Sequence, residues 1–89
     1  MRPIKDLLIL LRDFLPGNTN NAGGGSLCYS IMDMHLRESI IYRAEREALL
    51  KYIGKHKPRN IKPDGKGFWW KYGSLAPRMR FINKLIKEL

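Results

Sequence analysis

The chain has 89 residues, of which 44% are hydrophobic and 28% are charged, and its formal net charge is +9. This composition is typical of a soluble folded domain and excludes an intrinsically disordered chain. Because a domain of this size has a thin core, we expect a ligand site on a face or at a subunit junction rather than in a deep pocket.

The positive charge is concentrated in the C-terminal part of the chain. Between Lys51 and Lys87 there are eleven basic residues and one acidic residue, Asp64, whereas the remaining residues carry a net charge of −1. Such an asymmetry predicts an anionic partner: nucleic acid, a nucleotide, an anionic lipid or an acidic protein. A charge that serves only solubility is the alternative interpretation.

Cysteine content and hydropathy indicate a cytoplasmic protein. The one cysteine, Cys28, has no partner for an internal disulfide, which is typical of a reducing compartment. The apolar run 7–11 is too short to span a bilayer, and charged residues follow it where a signal peptide needs a cleavage site. We therefore predict no targeting segment and no membrane partner.

Hydrophobic periodicity predicts a first helix over residues 3–15 and a flexible loop over 16–25. Pro3 suits a first helical turn, and the apolar face is broad enough to require more than one neighbour. Three glycines before the next helix resemble a phosphate cradle, but Ser26-Leu27 follow where a Walker loop needs Lys and Ser/Thr. A plain flexible connection is the favoured interpretation.

Residues 26–37 are predicted to form a second helix, and the most buried one. Cys28 and His35 lie on its apolar stripe, where a metal site would need further ligands. Only the distant His56 could supply one. We predict an inert thiol, a core histidine and no metal or other cofactor.

The last two predicted helices cover residues 39–53, with Gly54 as a stop, and Pro77 to the end of the chain. One charged residue interrupts the apolar stripe of each helix. At 100° per residue, Glu45 and Arg78 lie within these stripes. A buried charge needs a partner, so we predict a structural Glu45–Arg78 ion pair, with a ligand phosphate as the alternative partner of Arg78. The other inward positions are predicted to be Ile41, Tyr42, Ala48, Leu49, Tyr52, Ile53, Phe81, Ile82, Leu85, Ile86 and Leu89.

The connector over residues 54–76 is predicted to be irregular, basic and rich in aromatic residues. Whichever of Trp69 and Trp70 is exposed offers a flat face on which a planar anionic ligand can stack. Lys71, Arg78 and Arg80 are then the candidates for contacts to its phosphates. The alternative is that both tryptophans complete the helical core.

These patterns together predict one all-α domain over residues 1–89, with four helices and the irregular connector before the last. Arg80, Lys84 and Lys87 are predicted to share the outer face of that helix. Because so small a core covers little apolar surface, we also predict a homo-oligomer, formed through helix one or the exposed part of the aromatic segment.

Several short patterns follow one another in a fixed order over residues 25–89. They are Gly25-Ser26-Leu27-Cys28, Glu45 with Leu49 and Tyr52-Ile53, Pro58, Phe68-Trp69-Trp70, Pro77-Arg78 and Phe81-Ile82-Asn83-Lys84-Leu85-Ile86. In this order they resemble a group of small uncharacterised phage and prophage proteins. The resemblance implies action in the host cytoplasm by binding: sequestering a defence signal, blocking a host nucleoprotein or coating nucleic acid.

The function that the sequence favours is non-enzymatic binding of an anionic nucleotide. In a phage, that ligand would be a host immune messenger such as a cyclic oligonucleotide. Nucleic-acid binding uses the same residues over a longer footprint, and direct inhibition of a host nucleoprotein defence complex through the basic face is a third reading. Catalysis is not indicated, because Ser74, His56 and Asp64 lack a nucleophile elbow or an orienting pattern.

Overall fold

The computed structural model of the protein describes residues 1–17, 27–56 and 75–89. These residues form four α-helices: α1 (Ile4–Phe14), α2 (Leu27–Leu36), α3 (Arg43–His56) and α4 (Leu75–Glu88). A short 3-10 helix, Leu15–Gly17, continues α1. The described residues contain no β-strand, which confirms the prediction of an all-α fold with four helices.

The helix α1 is the element on which the others assemble. It packs against α2, α3 and α4. Leu7, Leu8, Leu11 and Phe14 form its buried face, and the flanking Ile9 and Leu10 are half-buried. The broad apolar face predicted from the sequence is therefore covered by three helices of the same chain. The homo-oligomer predicted through helix one or the aromatic segment stays a prediction.

One hydrophobic core joins all four helices, and the predicted inward positions Ile41, Leu49, Ile53, Phe81, Ile82 and Leu85 belong to it, whereas Leu89, at the end of the chain, is exposed. The apolar side chains of the core come from α1 and the 3-10 helix, from α2, from α3 and the residues just before it, and from α4. They are Leu7, Leu8, Leu11, Phe14, Leu15, Leu27, Cys28, Ile31, Met34, Ile41, Leu49, Ile53, Phe81, Ile82 and Leu85.

The start of α3 differs from the prediction. The helix begins at Arg43 instead of Ser39. Ser39 has a φ of 54°, in the left-handed region, which a right-handed helix of L-residues does not continue through. Tyr42 therefore precedes the helix and is 75% exposed instead of pointing inward.

The end of α3 and the start of α4 also differ from the prediction. The helix α3 runs through Gly54 to His56, so this glycine lies inside the helix and does not end it. The helix α4 begins at Leu75, and Pro77 takes its third position. Proline is tolerated there because the first amides of a helix have no intrahelical acceptor. Of the predicted connector, residues 57–74 lie outside the described residues.

Replacing Leu11 by alanine is expected to lower the free energy of unfolding by about 2–5 kcal/mol, because it removes a large side chain from the centre of the core. Urea denaturation followed by far-UV circular dichroism measures this change. Leu36→Ala is the matched control, since Leu36 is 62% exposed, and it should cost less than about 0.5 kcal/mol. Equal losses in the two variants would contradict the assignment of the core.

Candidate functional site

The buried carboxylate of Glu45 accepts four hydrogen bonds. Its Oε1 accepts from Nη2 of Arg2 at 2.7 Å and from the backbone N–H of Tyr42 at 2.9 Å. Its Oε2 accepts from Nε of Arg2 at 2.8 Å and from the backbone N–H of Arg2 at 3.0 Å. The Glu45 side chain is 1% exposed. Because an ionised carboxylate has about four acceptor sites, these donors fill its capacity.

The position of Glu45 at the start of α3 explains one of these bonds. Tyr42 is the N-cap residue, and its carbonyl accepts the first helical hydrogen bond from the N–H of Arg46 at 2.9 Å. Glu45 is the third helical residue, from which a glutamate reaches back to the N-cap amide, as in one half of a capping box. Its negative charge also suits the positive end of the helix dipole.

Arg2 joins three parts of the chain. Besides the Glu45 carboxylate, its Nη2 donates to the carbonyl oxygen of Ile40 at 2.9 Å. Ile40 follows the left-handed Ser39, in a turn held by donation of the Ile40 and Ile41 amides to the carbonyl of Met34. The side chain of Arg2 therefore connects the start of α1 to the α2–α3 link and to the start of α3.

The structure gives Glu45 a different partner from the one that the sequence predicts. Glu45 and Arg78 are both buried, as the helical wheel predicts, and the Arg78 side chain is 2% exposed. However, Arg2 and Tyr42 occupy both oxygens of Glu45, so the carboxylate bonds to Arg2 and not to Arg78. The helical wheel could not find this partner because Arg2 precedes α1 and therefore has no place on a wheel. The predicted helix start at Ser39 also concealed that Glu45 lies in the first turn of α3, which begins at Arg43.

These contacts fix the charge state of the pair. Hydrogen bonds from the Arg2 side chain hold the pKa of Glu45 well below its usual range, more than offsetting the effect of burial. The same contact raises the pKa of Arg2. Both groups are therefore ionised at neutral pH. By contrast, burial lowers the pKa of Arg78.

The structure describes only some of the predicted ligand-binding residues. Trp69, Trp70 and Lys71 lie outside the described residues. Arg78 is buried and presents almost no surface to a ligand. Arg80 is exposed on α4, and Lys84 and Lys87 are exposed on the same helix. Of the predicted set, Arg80 thus remains as a described surface cation.

The ion pairs within the described ranges all use cations located between Arg2 and Arg46. They are Arg2–Glu45, Arg12–Asp13, Arg37–Asp33, Arg43–Glu47 and Arg46–Glu47. Arg80, Lys84 and Lys87 take part in none of them. Like charges three or four residues apart on a helix weaken it by a few tenths of a kcal/mol. The outer face of α4 therefore carries positive charge that these ion pairs do not neutralise.

Cys28 and His35, which were considered as metal ligands, have surroundings typical of residues with a structural role. Cys28 is buried. His35 is half-buried, and its Nδ1 accepts a hydrogen bond from Nη1 of Arg46 at 2.9 Å, since a guanidinium can only donate. In the described part of the chain, no three potential ligands are grouped in a way that could hold a metal ion. None of the described helices is long and apolar enough to cross a membrane.

Comparison of the chain with protein-family models, curated proteins and solved structures gives no match.

Glu45→Gln is expected to lower the free energy of unfolding at neutral pH by about 1.5–3 kcal/mol, because Arg2 then meets one neutral amide oxygen in place of two charged carboxylate oxygens. Urea denaturation measures the loss. Glu47→Gln makes the same chemical change two residues away, in exposed ion pairs, and should cost less than about 1 kcal/mol. A loss for Glu45→Gln no greater than that for Glu47→Gln would show that the buried carboxylate contributes little.

The pH dependence of the free energy of unfolding should also reveal the Arg2–Glu45 ion pair. Because the folded-state pKa of Glu45 is depressed, its contribution is present above the unfolded-state pKa and is lost as the pH falls through the folded-state pKa. Wild-type stability should therefore decline below about pH 5, and Glu45→Gln should reduce this decline.

Arg2→Gln should change the pH dependence in the opposite sense. It leaves the buried carboxylate without its guanidinium, so that burial raises the pKa of Glu45. The deficit of this variant relative to wild type should be greatest at neutral pH and should shrink on acidification, as Glu45 gains a proton. Urea denaturation at several pH values measures all three proteins. Parallel stability curves would rule out this role for the pair.

Proposed function

We propose that the protein is a non-enzymatic binder of a phosphate-bearing anion and that the exposed cations of α4 contact the phosphates. The observation that carries the proposal is the outer face of α4, where Arg80, Lys84 and Lys87 are exposed and belong to none of the ion pairs among the described residues. A helical face of this kind positions cations on a rigid element, which favours repeated contact with phosphate oxygens.

The spacing of these cations supports nucleic acid as well as a nucleotide. At 1.5 Å per residue, Arg80 and Lys87 are separated by about 10 Å along the helix axis. Cations spread over this distance on an open face suit a chain of phosphates, whose contacts are electrostatic and independent of sequence. Nucleic-acid binding is therefore the second candidate.

The predicted aromatic site supports a ligand that carries a base. Trp69, Trp70 and Lys71 lie four to six residues before the start of α4 in sequence, and stacking on an exposed tryptophan would add to the phosphate contacts. A phage origin, which the sequence resemblance implies, would give such a binder a counter-defence role. The ligand would then be a host nucleotide messenger such as a cyclic oligonucleotide, or the nucleic acid of a host defence complex.

Neutralising one cation of α4 should weaken binding more than neutralising a cation elsewhere. Lys84→Gln is expected to lower affinity for a single-stranded oligonucleotide of about 16 residues and for a cyclic dinucleotide. Lys5→Gln is the matched control, because Lys5 is exposed on α1 and is absent from the described ion pairs. Fluorescence anisotropy with labelled ligands measures both affinities.

The salt dependence provides a second measurement of the same contact. For the oligonucleotide, the slope of log K against log salt should decrease in magnitude by about 0.7 for each lost phosphate contact in Lys84→Gln, and should remain unchanged in Lys5→Gln. Equal effects of the two substitutions would assign binding to net charge and not to α4. If neither ligand binds the wild-type protein, the proposed function is wrong.

A further inference from the structure

We infer that the C-terminal end of α3 is a nucleobase-stacking site, formed by the ring of His56 resting on Tyr52 and flanked by Lys55. This inference rests on the proposed function, because it assumes a phosphate-bearing ligand, and it adds the chemical class of that ligand. The shared chemistry is a nucleobase joined to a phosphate, as in a free nucleotide or in single-stranded nucleic acid.

The two rings form a stacked pair one helical turn apart. Their centroids are 4.2 Å apart, and the angle between their planes is 30°. Nδ1 of His56 lies 2.9 Å from the carbonyl oxygen of Tyr52. Because a carbonyl oxygen can only accept, this nitrogen carries the proton and donates. The imidazole is therefore oriented both by the stack and by a hydrogen bond.

The stack leads outward from the core to the solvent. Tyr52 is half-buried and packs against the hydrophobic core, whereas His56 is exposed. One face of the imidazole rests on Tyr52 and the His56 side chain is exposed, so we assign the stacking of another planar ring to the opposite face. Because the ring is already oriented, little side-chain entropy is lost when a ligand binds. Aromatic faces of this kind bind bases without strong sequence preference.

The cation beside the rings supplies the phosphate contact. Lys55 is three residues from Tyr52, which makes the two side chains neighbours on the helix surface. Lys55 is exposed and takes no part in the ion pairs found among the described residues. The carbonyl end of a helix repels a phosphate, so the lysine on its side is the expected contact.

The sequence did not indicate this site because Gly54 was predicted to end α3. With an end at Ile53, His56 belongs to an irregular connector and has no defined relation to Tyr52. The additional helical residues bring positions 52 and 56 onto one face and produce the stack. The same geometry also suits a purely structural helix cap, so a test must separate base binding from capping.

Proton NMR with two small probes makes this separation. Adenosine 5′-monophosphate and ribose 5-phosphate share a phosphate and a sugar, but only the first has a base. Adenosine monophosphate should shift the ring protons of His56 and Tyr52 upfield, through the ring current of the stacked base, and ribose 5-phosphate should not. Equal shifts with both probes, or none with adenosine monophosphate, would overturn the inference.

Substitutions at His56 then test the contribution of the ring to affinity. His56→Ala should weaken binding of a labelled oligodeoxyadenylate of about 12 residues at least about 5-fold, and His56→Phe, which keeps a flat ring, should largely retain it. Lys55→Gln should weaken binding as well. Tyr42→Ala is the matched control, since it removes an exposed aromatic ring at the opposite end of α3, and it should leave affinity unchanged.

The outcomes separate this inference from the proposed function. If His56→Ala binds like wild type while Lys84→Gln binds more weakly, the stacking site is wrong and the proposed function stands. If His56→Ala loses thermal stability and His56→Phe does not restore binding, the ring is a helix cap only. If wild type binds neither adenosine monophosphate nor the oligonucleotide, the inference and the nucleotide form of the proposed function both fail.

Discussion

Four donors converge on the carboxylate of Glu45, and three of them belong to Arg2, a residue that precedes the first helix. A buried carboxylate that kept its charge without such partners would cost several kcal/mol. The need of the Glu45 carboxylate for these donors therefore restricts where the start of α1 can lie relative to the start of α3. Ile40 accepts from the same guanidinium, so the link between α2 and α3 is included in the restriction. The apolar core joins the four helices, while this polar contact joins the starts of α1 and α3 to the link before α3.

The distribution of positive charge on the surface depends on the small number of acidic residues in the chain. In the described residues, the paired carboxylates belong to Asp13, Asp33, Glu45 and Glu47, and their cations are arginines between Arg2 and Arg46. Few acids remain for the lysines of α3 and the cations of α4. The exposed lysines and Arg80 on these helices therefore give the surface a positive potential that the ion pairs do not cancel. This imbalance connects the internal electrostatics of the fold to the proposed affinity for phosphate.

The two proposed contact surfaces divide recognition between phosphate and base. On α4, the cations lie along one rigid face, which favours electrostatic contact without base selection. At the end of α3, the ring of His56 is oriented by Tyr52, which favours stacking. Both lie on helices anchored in a common core, so neither requires a deep cavity, which a thin core cannot provide.

The sequence by itself determined the four helices, most of the core and the burial of Glu45 and Arg78, because the helical repeat records which face of each helix is turned away from water. The roles of Trp69, Trp70 and Lys71 stay predictions. The tertiary structure decided which cation meets Glu45, since Arg2 and Glu45 are 43 positions apart and Arg2 lies before the first helical turn. It also decided where α3 ends: Gly54 permits a helix end without requiring one, and the helix continues to His56, whose ring stacks on Tyr52. A periodic pattern encodes burial locally, whereas the choice of partner and the end of a helix depend on contacts that form only when distant segments pack together.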